Sequence, residues 1–209
     1  MGEQIVGRRE RKKRATRAAL SAAALRLSIE RGIDNVTVEQ IADEADVSLR
    51  TFFNYFSSKE EAIVAGDVAT AESLVDAFRG RPHGEPVLDA LRHAVLTVFD
   101  EESYRDRVQR MHALRGTPSL LPHQLAAFVA QERALAVAVA DRVGCDVNRD
   151  LYPALVAASA MAGLRVAVQR WLAEPSPDGG EPSLHELIIG VMDQLAAGLT
   201  APLVATALS

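Results

Sequence analysis

Residues 49–56 form a short segment whose side chains could read the edges of nucleic-acid bases. Phe52 and Phe56 are four residues apart, so on a helix they share one face, which we expect to be buried. The outer face and its flanks then carry Leu49, Arg50, Phe53 and Asn54. Arginine can pair bidentately with guanine, and an apolar side chain can pack against a thymine methyl group. The alternative is a surface helix with ordinary polar residues, but that leaves an exposed phenylalanine beside Arg50 unexplained.

A second group of side chains, near the predicted helix starts, suits contact with phosphate groups. It comprises hydroxyl, phenol and ammonium donors: Thr37, Ser48, Thr51, Tyr55 and Lys59. Helix starts add backbone amides and the positive end of the helix dipole. The basic N-terminal run adds Arg11, Lys12, Lys13 and Arg14. A solvated tail is the alternative explanation of this run.

Charge is distributed unevenly along the 209-residue chain, whose formal net charge is −5. The first twenty residues contain seven Lys/Arg against two Asp/Glu, and residues 1–60 carry a net charge of +2. Residues 61–209 carry a net charge of −7. A basic end on an acidic body indicates that one end meets a polyanion. Contact with nucleic acid must therefore be local.

Composition predicts a globular chain in the reducing cytoplasm. Hydrophobic residues make up 48% of the chain and charged residues 24%. The single cysteine, Cys145, has no internal disulfide partner. The longest near-apolar run, residues 151–164, has 14 residues, whereas a membrane span needs about 20. We therefore expect no membrane segment, and no secretion signal.

The residue pattern gives little support to enzymatic chemistry. The five histidines show no spacing typical of a metal site, and the sequence contains no glycine-rich phosphate loop. We therefore expect no catalytic residues, no metal and no cofactor. Two alternatives to a DNA-binding protein stay open, a small enzyme that uses Cys145 and a helical scaffold that does not bind DNA. The scaffold would leave the residue types at 49–56 unexplained.

The elements that must position these side chains are all predicted to be helices. Apolar residues at three- and four-residue steps predict a first helix over about 11–31. Thr37 and Gln40 have the form of a capping box, and Ser48 and Ser58 are further N-caps. These caps predict two short helices joined by a tight turn, about 38–45 and 49–55. The remaining predicted helices cover about 58–80, 86–101, 104–115, 119–142, 150–173 and 183–199. The fold class is therefore all-α, with about nine helices.

Residues 36–60 carry a motif of specific spacing, with VTVEQIADEADVS at 36–48, TFFNYF at 51–56 and SKE at 58–60. Over about residues 15–65 the chain resembles the TetR family of one-component transcriptional regulators. The resemblance implies a homodimer, a palindromic operator and usually repression that a small ligand relieves. The matching positions that would face bases are Leu49, Arg50 and Phe53. Those that would hold phosphates are Thr37, Thr51, Tyr55 and Lys59.

Three positions depart from the family's pattern. Phe53 stands where the family commonly has tyrosine, which removes a hydroxyl contact to phosphate. Tyr55 stands at a common histidine and can still donate a hydrogen bond. Ser28 replaces an aromatic residue near the end of the first helix, so we expect looser or rearranged packing there.

Two domains are expected, a DNA-binding domain over 1–57 with a basic arm at 1–14, and a ligand-binding and dimerisation domain over 58–209. Helices 150–173 and 183–199 are rich in small and aliphatic residues on more than one face. Such helices are buried on more than one side. The resemblance points to the same two helices as the dimer interface. Ordinary core within one chain is the alternative.

Large or adaptable side chains on the central helices predict an apolar cavity for a small hydrophobic ligand. The candidates are Phe99, Met111, His112, Arg115, Phe128, Met161 and Trp171. Plain core packing is the alternative for each of them. The motif around 52–61 is similar to that of acyl-CoA-responsive regulators, so the resemblance implies a fatty acyl thioester as candidate effector. Its phosphates would meet Arg115, Arg165 or Arg170.

Overall fold

Every regular element that the structure describes is helical. The computed structural model describes residues 2–99, 114, 117–172 and 182–198. The helices are α1 (Gly2–Arg31), α2 (Val38–Glu44), α3 (Leu49–Phe53), α4 (Lys59–Arg79), α5 (Val87–Val98), α6 (Leu121–Val143), α7 (Leu151–Trp171) and α8 (Leu184–Ala196), with a 3₁₀ turn at Ile33–Asn35. The predicted all-α class is confirmed. Apart from Leu114, which lies in a turn, the predicted helix over 104–115 is outside the described residues.

The first helix is longer than predicted, because α1 begins at Gly2 rather than near residue 11. Residues 2–14 of the predicted basic arm are therefore part of this continuous helix. Arginine, lysine and glutamate are good helix formers, so the helix extends where no apolar stripe marks it. The third helix is shorter than predicted, since α3 ends at Phe53 with Asn54 as its C-cap.

Local hydrogen bonds explain the tight turn between α2 and α3. The Thr37 hydroxyl accepts from the Gln40 amide, and the Gln40 side chain accepts from the Thr37 amide, so the predicted capping box is present. At the other end of α2, Asp46 adopts a left-handed conformation with φ 51°. The Asp46 amide then donates to the Asp43 carbonyl at 3.0 Å, and the Val47 amide donates to the Ala42 carbonyl at 3.0 Å. This pair of bonds ends the helix and reverses the chain within a few residues.

The chain forms two compact units, residues 1–73 with 102–131 and residues 74–101 with 132–209. The first unit is built around side chains from α1 to α4 that are almost fully buried. They include Leu20, Leu27, Ile41, Phe52, Phe56 and Ile63. Short helices such as α2 and α3 are marginal in isolation, so this shared core holds them.

Two polar residues, Ser21 and Ser28, are buried in the described part of the first unit. Of these, the Ser28 hydroxyl has no hydrogen-bond partner among the described residues. A buried hydroxyl that has lost its water without gaining a partner lowers stability. The departure from the family's aromatic residue therefore leaves a small energetic defect at this position.

In the second unit, α7 and α8 pack closely. A Cβ atom added at Gly163 of α7 would overlap the Val191 Cγ1 atom of α8, so the missing side chain allows the close approach. By length and composition alone α7 could cross a membrane, and 33% of its most apolar window is buried within the chain; Ala157 and Trp171 are among the buried residues of this helix. Packing within the chain therefore accounts for the apolar residues on one side of α7 only.

The loop between α4 and α5 is fastened by one arginine of α6. The Arg142 side chain is only 4% exposed, and its guanidinium carbon lies 5.2 Å from the centre of the Phe78 ring. It donates to the carbonyl oxygens of Arg81, Pro82 and Glu85. Hydrogen bonds from a charged donor are stronger than those between neutral groups, so Arg142 fixes the loop.

Glu85, in the same loop, is the acceptor of a second set of charged hydrogen bonds. Its carboxylate accepts two bonds from the Arg81 guanidinium, each at 2.8 Å. The Nδ1 atom of His93 lies 2.7 Å from Oε1. The hydrogen bonds from Arg81 and then from His93 lower the pKa of Glu85 from 4.5 to about 2.

Candidate nucleic-acid interface

The two faces of α3 are separated as the sequence predicts. Phe52 and Phe56 are buried, and the rings of Phe52 and Phe53 meet edge to face with centroids 5.5 Å apart. The outer side chains are exposed to solvent: Leu49, Arg50, Phe53 and Asn54. The Ser48 hydroxyl caps the helix by accepting from the Thr51 amide at 3.1 Å. The core therefore holds α3 from behind while its outer face stays free.

Phe53 is the most unusual residue of this face. Its side chain is 55% exposed although it is a large apolar ring. Exposure of such a ring costs hydration free energy that burial against another molecule would recover. Arg50, beside it, forms no ion pair with any residue in the described part of the chain. The face therefore offers two apolar groups, Leu49 and Phe53, and one cationic group to a partner molecule.

The predicted phosphate-binding hydroxyls lie close to this face. The hydroxyls of Ser48 and Thr51 are 2.8 Å apart, so one donates to the other and the second proton stays free. Thr37, at the start of α2, is exposed. Tyr55 is half-buried, with its ring packed against the core of the first unit. Hydroxyl groups that can donate hydrogen bonds therefore lie at the start of α2, at the start of α3 and just after the end of α3.

Lys59 is placed differently from the other predicted phosphate ligands. Its ammonium donates to the Ile33 carbonyl at 2.7 Å and to the Val36 carbonyl at 2.9 Å. The side chain is half-buried, whereas Lys12 and Lys13 are exposed. Two of its three donor protons are therefore used inside the fold.

The basic part of α1 meets the segment after α3 through one arginine that the local sequence pattern does not single out. The guanidinium carbon of Arg17 lies 5.2 Å from the centre of the Phe56 ring. Lys13 and Arg14 precede Arg17 by four and three residues, so they share its face of the helix. Arg11 and Lys12 are exposed on other sides of α1. The contact depends on the register of α1 against the core, which the residue pattern does not give. The sequence therefore could not identify Arg17.

Four of the seven predicted ligand residues lie in the part of the chain that the structure describes. Phe99 and Trp171 are buried and Met161 is half-buried, all in the second unit. The Phe99 carbonyl accepts a hydrogen bond from the Nε2 atom of His185 at 2.9 Å. Phe128 is half-buried and belongs to the first unit. Met111, His112 and Arg115 lie outside the described residues.

The two helices predicted to form a dimer have two apolar faces. On one face the small residues Ala157, Ala160 and Ala167 are buried within the chain, so these belong to its core. The other face of α7 exposes large apolar side chains, among them Leu151, Leu155 and Val166. On α8, Ile189 is exposed, and nothing lies within 4 Å of a Cβ atom built on Gly190. This second face has no covering partner within the described chain.

Cys145, the residue of the enzyme alternative, is not activated as a nucleophile. Burial raises the pKa of the Cys145 thiol, and the nearby carboxylates of Asp150 and Asp146 raise it further. A reactive cysteine needs the opposite shift, because the thiolate is the nucleophile. Among the described residues, no group of three His, Cys, Asp or Glu side chains is placed to hold a metal ion.

Comparison with known proteins places both parts of the chain among transcriptional regulators. Residues 20–65 match the family described as bacterial regulatory proteins, tetR family, and residues 85–200 match the family described as MftR C-terminal domain. The HTH-type transcriptional regulator TcmR of Streptomyces glaucescens is 34% identical over 182 residues, which cover 82% of this chain and 80% of TcmR. The putative mycofactocin biosynthesis transcriptional regulator MftR of Mycobacterium tuberculosis is 32% identical over 204 residues, which cover 94% and 96% of the two chains.

A solved structure with a similar fold is that of Thermus thermophilus FadR, a TetR family transcriptional repressor in complex with lauroyl-CoA. The TM-score is 0.55 at 22% sequence identity, and the match covers 89% of this chain and 96% of that one. At this level of identity the similarity concerns the fold.

Proposed function

The chain belongs to the TetR family of transcriptional regulators, and from this premise we propose that it represses transcription by binding a palindromic operator as a homodimer. Its matched families and relatives are regulators rather than enzymes. The exposed outer face of α3, with Arg50 and Phe53 held in place by a buried Phe52, is the observation that carries the proposal. Because its target is the genome, the protein acts in the cytoplasm.

In the proposed complex, α3 lies in the major groove and its outer face meets base edges. Arg50 pairs with guanine, Phe53 and Leu49 pack on thymine methyl groups, and Asn54 lies beside them. The phosphate contacts come from Thr37, Ser48, Thr51, Tyr55 and the cations Arg11, Lys12, Lys13 and Arg14. Lys59 adds a further phosphate contact through the third proton of its ammonium group, since the other two are donated to carbonyls inside the fold. We place the boundary between the DNA-binding domain and the ligand-binding and dimerisation domain between residues 57 and 58.

A direct test of DNA binding uses the DNA upstream of the protein's own gene, since family repressors are expected to bind there. Purified protein is titrated against this duplex and against a scrambled duplex of equal length and composition, with excess nonspecific competitor. The proposal predicts a retarded complex and a footprint on the upstream duplex alone. Equal retardation of both duplexes, or of neither, contradicts it.

We place the dimer interface on the exposed apolar faces of α7 and α8. Burial of large apolar side chains contributes about 1.5–3 kcal/mol each, and the uncovered face of α7 offers several of them. Gly190 supports the same placement, because a glycine inside an exposed helix costs roughly 0.5–1 kcal/mol relative to alanine. Such a residue is expected where another helix backbone approaches closely.

The interface is tested by Leu155→Glu, with Leu125→Glu as its matched control. Leu155 of α7 and Leu125 of α6 are both 65% exposed, so both variants are expected to fold. Sedimentation equilibrium is expected to give a dimer for wild type and for Leu125→Glu, but a monomer for Leu155→Glu. A dimeric Leu155→Glu variant contradicts the placement.

The effector we propose is a small hydrophobic ligand of the acyl-CoA class, whose candidate contacts in the second unit are Phe99, Met161 and Trp171. The FadR structure supports this class, because a protein of the same fold holds lauroyl-CoA. Binding tilts α4 and changes the separation of the two α3 helices, which must match successive major grooves about 34–36 Å apart. Lauroyl-CoA is expected to raise the melting temperature and to release the operator, whereas free CoA does neither. If lauroyl-CoA changes neither quantity, this ligand class is wrong.

A further inference from the structure

The basic start of α1 is a helical segment that packing within the described chain does not support. The helix begins at Gly2, residues 7–15 are all exposed, and Leu20 is the first of the described side chains in α1 to be buried. Helices in proteins owe most of their stability to the packing of one face. Residues 7–14, which we call the basic segment, are therefore helical without that contribution.

The charges of the basic segment oppose its helix. Like charges stand four residues apart at Arg8 and Lys12, and again one residue further on. Such pairs repel each other on the surface of a helix. Glu10 is the one acidic residue at 7–17. In the described part of the chain, the ion pairs that α1 forms all involve Arg26, so the cations of the basic segment have no neutralising partner there.

Gly7 weakens the helix further. A glycine inside a helix is less favourable than alanine, because its backbone loses more freedom on folding. Nothing lies within 4 Å of a Cβ atom built on Gly7, and the residue is not among the glycines with positive φ. Neither close packing nor backbone geometry in the described chain therefore requires a glycine here. Its effect is to shift the segment from helix towards coil.

The balance between helix and coil in the basic segment is close. Arginine and lysine are good helix formers, and the packed part of α1 supplies the nucleus. Each further residue then adds only a propagation step, whose equilibrium constant is about 1. Repulsion between the cations and the glycine at position 7 therefore decide the outcome in the free protein. A row of phosphates removes the repulsion, because it neutralises the cations that face it.

We propose that the helix of the basic segment depends on phosphate: the segment opens in the free protein and becomes helical when the phosphates of a DNA duplex neutralise its cations. The inference rests on the proposed DNA-binding function and deepens it. Part of the attraction to phosphate is then used to order the segment, as in other cases of folding coupled to binding. Gly7 sets how large that part is. Because phosphates carry no base sequence, any duplex orders the segment.

Hydrogen exchange of backbone amides, followed by mass spectrometry on the full chain, measures the helix directly. The protein is compared alone, with a saturating selected operator duplex and with a saturating scrambled duplex at low salt. Amides of residues 7–14 are expected to exchange about tenfold or more slowly on either duplex than in the free protein. Amides of residues 20–27, in the packed part of α1, are expected to exchange slowly in all three samples. Added salt screens the repulsion, so in the free protein it is expected to slow the exchange of residues 7–14.

Three results of this experiment overturn the inference. Equal exchange of residues 7–14 with and without duplex shows that the segment keeps one conformation. Slower exchange on the operator alone shows that the segment responds to base sequence and not to phosphate. Exchange in the free protein that is independent of salt shows that repulsion between the cations does not open the helix.

Gly7→Ala tests the cost of ordering, with Gly84→Ala as its matched control. Both glycines have nothing within 4 Å of an added Cβ atom, so both variants are expected to fold, but Gly84 lies in the loop after α4. Alanine favours the helix, so Gly7→Ala is expected to bind both duplexes more tightly, by about twofold to fivefold per subunit or about 5- to 30-fold for a dimer. The slope of log affinity against log salt stays that of wild type, because no charge changes. Gly84→Ala is expected to bind as wild type does.

Wild-type or weaker binding by Gly7→Ala overturns the inference. A helix that is already formed in the free protein gains nothing from alanine, and a glycine that allows close approach to DNA makes alanine harmful. The proposed function fails separately, if wild-type protein shows no preference for the operator while residues 7–14 still exchange more slowly on both duplexes. If the protein binds neither duplex, both proposals fail.

Discussion

Replacing Arg50 by methionine tests whether α3 reads bases. Methionine has a similar helix propensity and lacks the guanidinium group that we pair with guanine. Arg50 is exposed, and it has no ion-pair partner in the part of the chain that the structure describes. We therefore expect the free energy of unfolding to change by no more than about 0.5 kcal/mol.

The size of the binding effect follows from the number of contacts. A bidentate contact to guanine contributes about 1–3 kcal/mol of discrimination, and a symmetric dimer presents two of them. Operator binding then weakens by about 2–6 kcal/mol. At about 1.4 kcal/mol for each factor of ten, the dissociation constant rises roughly 30-fold to roughly 20,000-fold.

The assay is a fluorescence anisotropy titration with operator and scrambled duplexes. Arg79→Met is the control, because Arg79 is exposed in the last turn of α4 and takes no part in the outer face of α3. The control is expected to bind both duplexes as wild type does. Wild-type operator affinity in Arg50→Met refutes the assignment of α3 as the helix that reads bases. Equal weakening on both duplexes, with a lower salt slope, shows instead that Arg50 contacts phosphate.

Three further predictions concern stability. Arg142→Met removes three charged hydrogen bonds to the loop after α4 and should lower the free energy of unfolding by about 2–4 kcal/mol. The control Arg149→Met, at an 87% exposed side chain, should change the free energy of unfolding by less than about 0.5 kcal/mol. Equal losses of stability for the two variants in urea unfolding contradict the role of Arg142 in holding the loop. Ser28→Ala removes a buried hydroxyl without a described partner and should raise stability by about 1 kcal/mol, whereas the exposed Ser73→Ala should not; a less stable Ser28→Ala shows that the hydroxyl is satisfied. Because the pKa of Glu85 falls from 4.5 to about 2 on folding, its contribution is complete above about pH 5 and disappears as the pH falls from 4.5 towards 2. The stability difference between wild type and Glu85→Gln should therefore vanish over that range, and a difference that is independent of pH contradicts the ionic role.

The sequence predicts best what short-range hydrogen bonds and helical periodicity determine. The caps at Thr37, Ser48 and Ser183 involve partners three residues away, and the structure contains all of them. The division of α3 into a buried face with Phe52 and an exposed face with Phe53 follows from helical spacing alone. These features need no knowledge of the tertiary structure.

Contacts between distant residues could not be predicted in this way. Arg142 binds carbonyls about 60 residues earlier, and Lys59 binds carbonyls 23 and 26 residues earlier. Backbone carbonyls carry no sequence signature, so no residue pattern marks them as partners. The same holds for Arg17 and the Phe56 ring, whose contact depends on the register of α1 against the core.

The central claim, that the outer face of α3 reads DNA as a symmetric pair, is tested most directly by selection from a random duplex library. Purified protein is mixed with the library, bound duplexes are recovered and amplified over several rounds, and the products are sequenced. The account predicts enrichment of an inverted repeat whose half-sites are about one helical turn apart or a multiple of it, and loss of this enrichment in Arg50→Met. Recovery of no common sequence, or of one without two-fold symmetry, contradicts it.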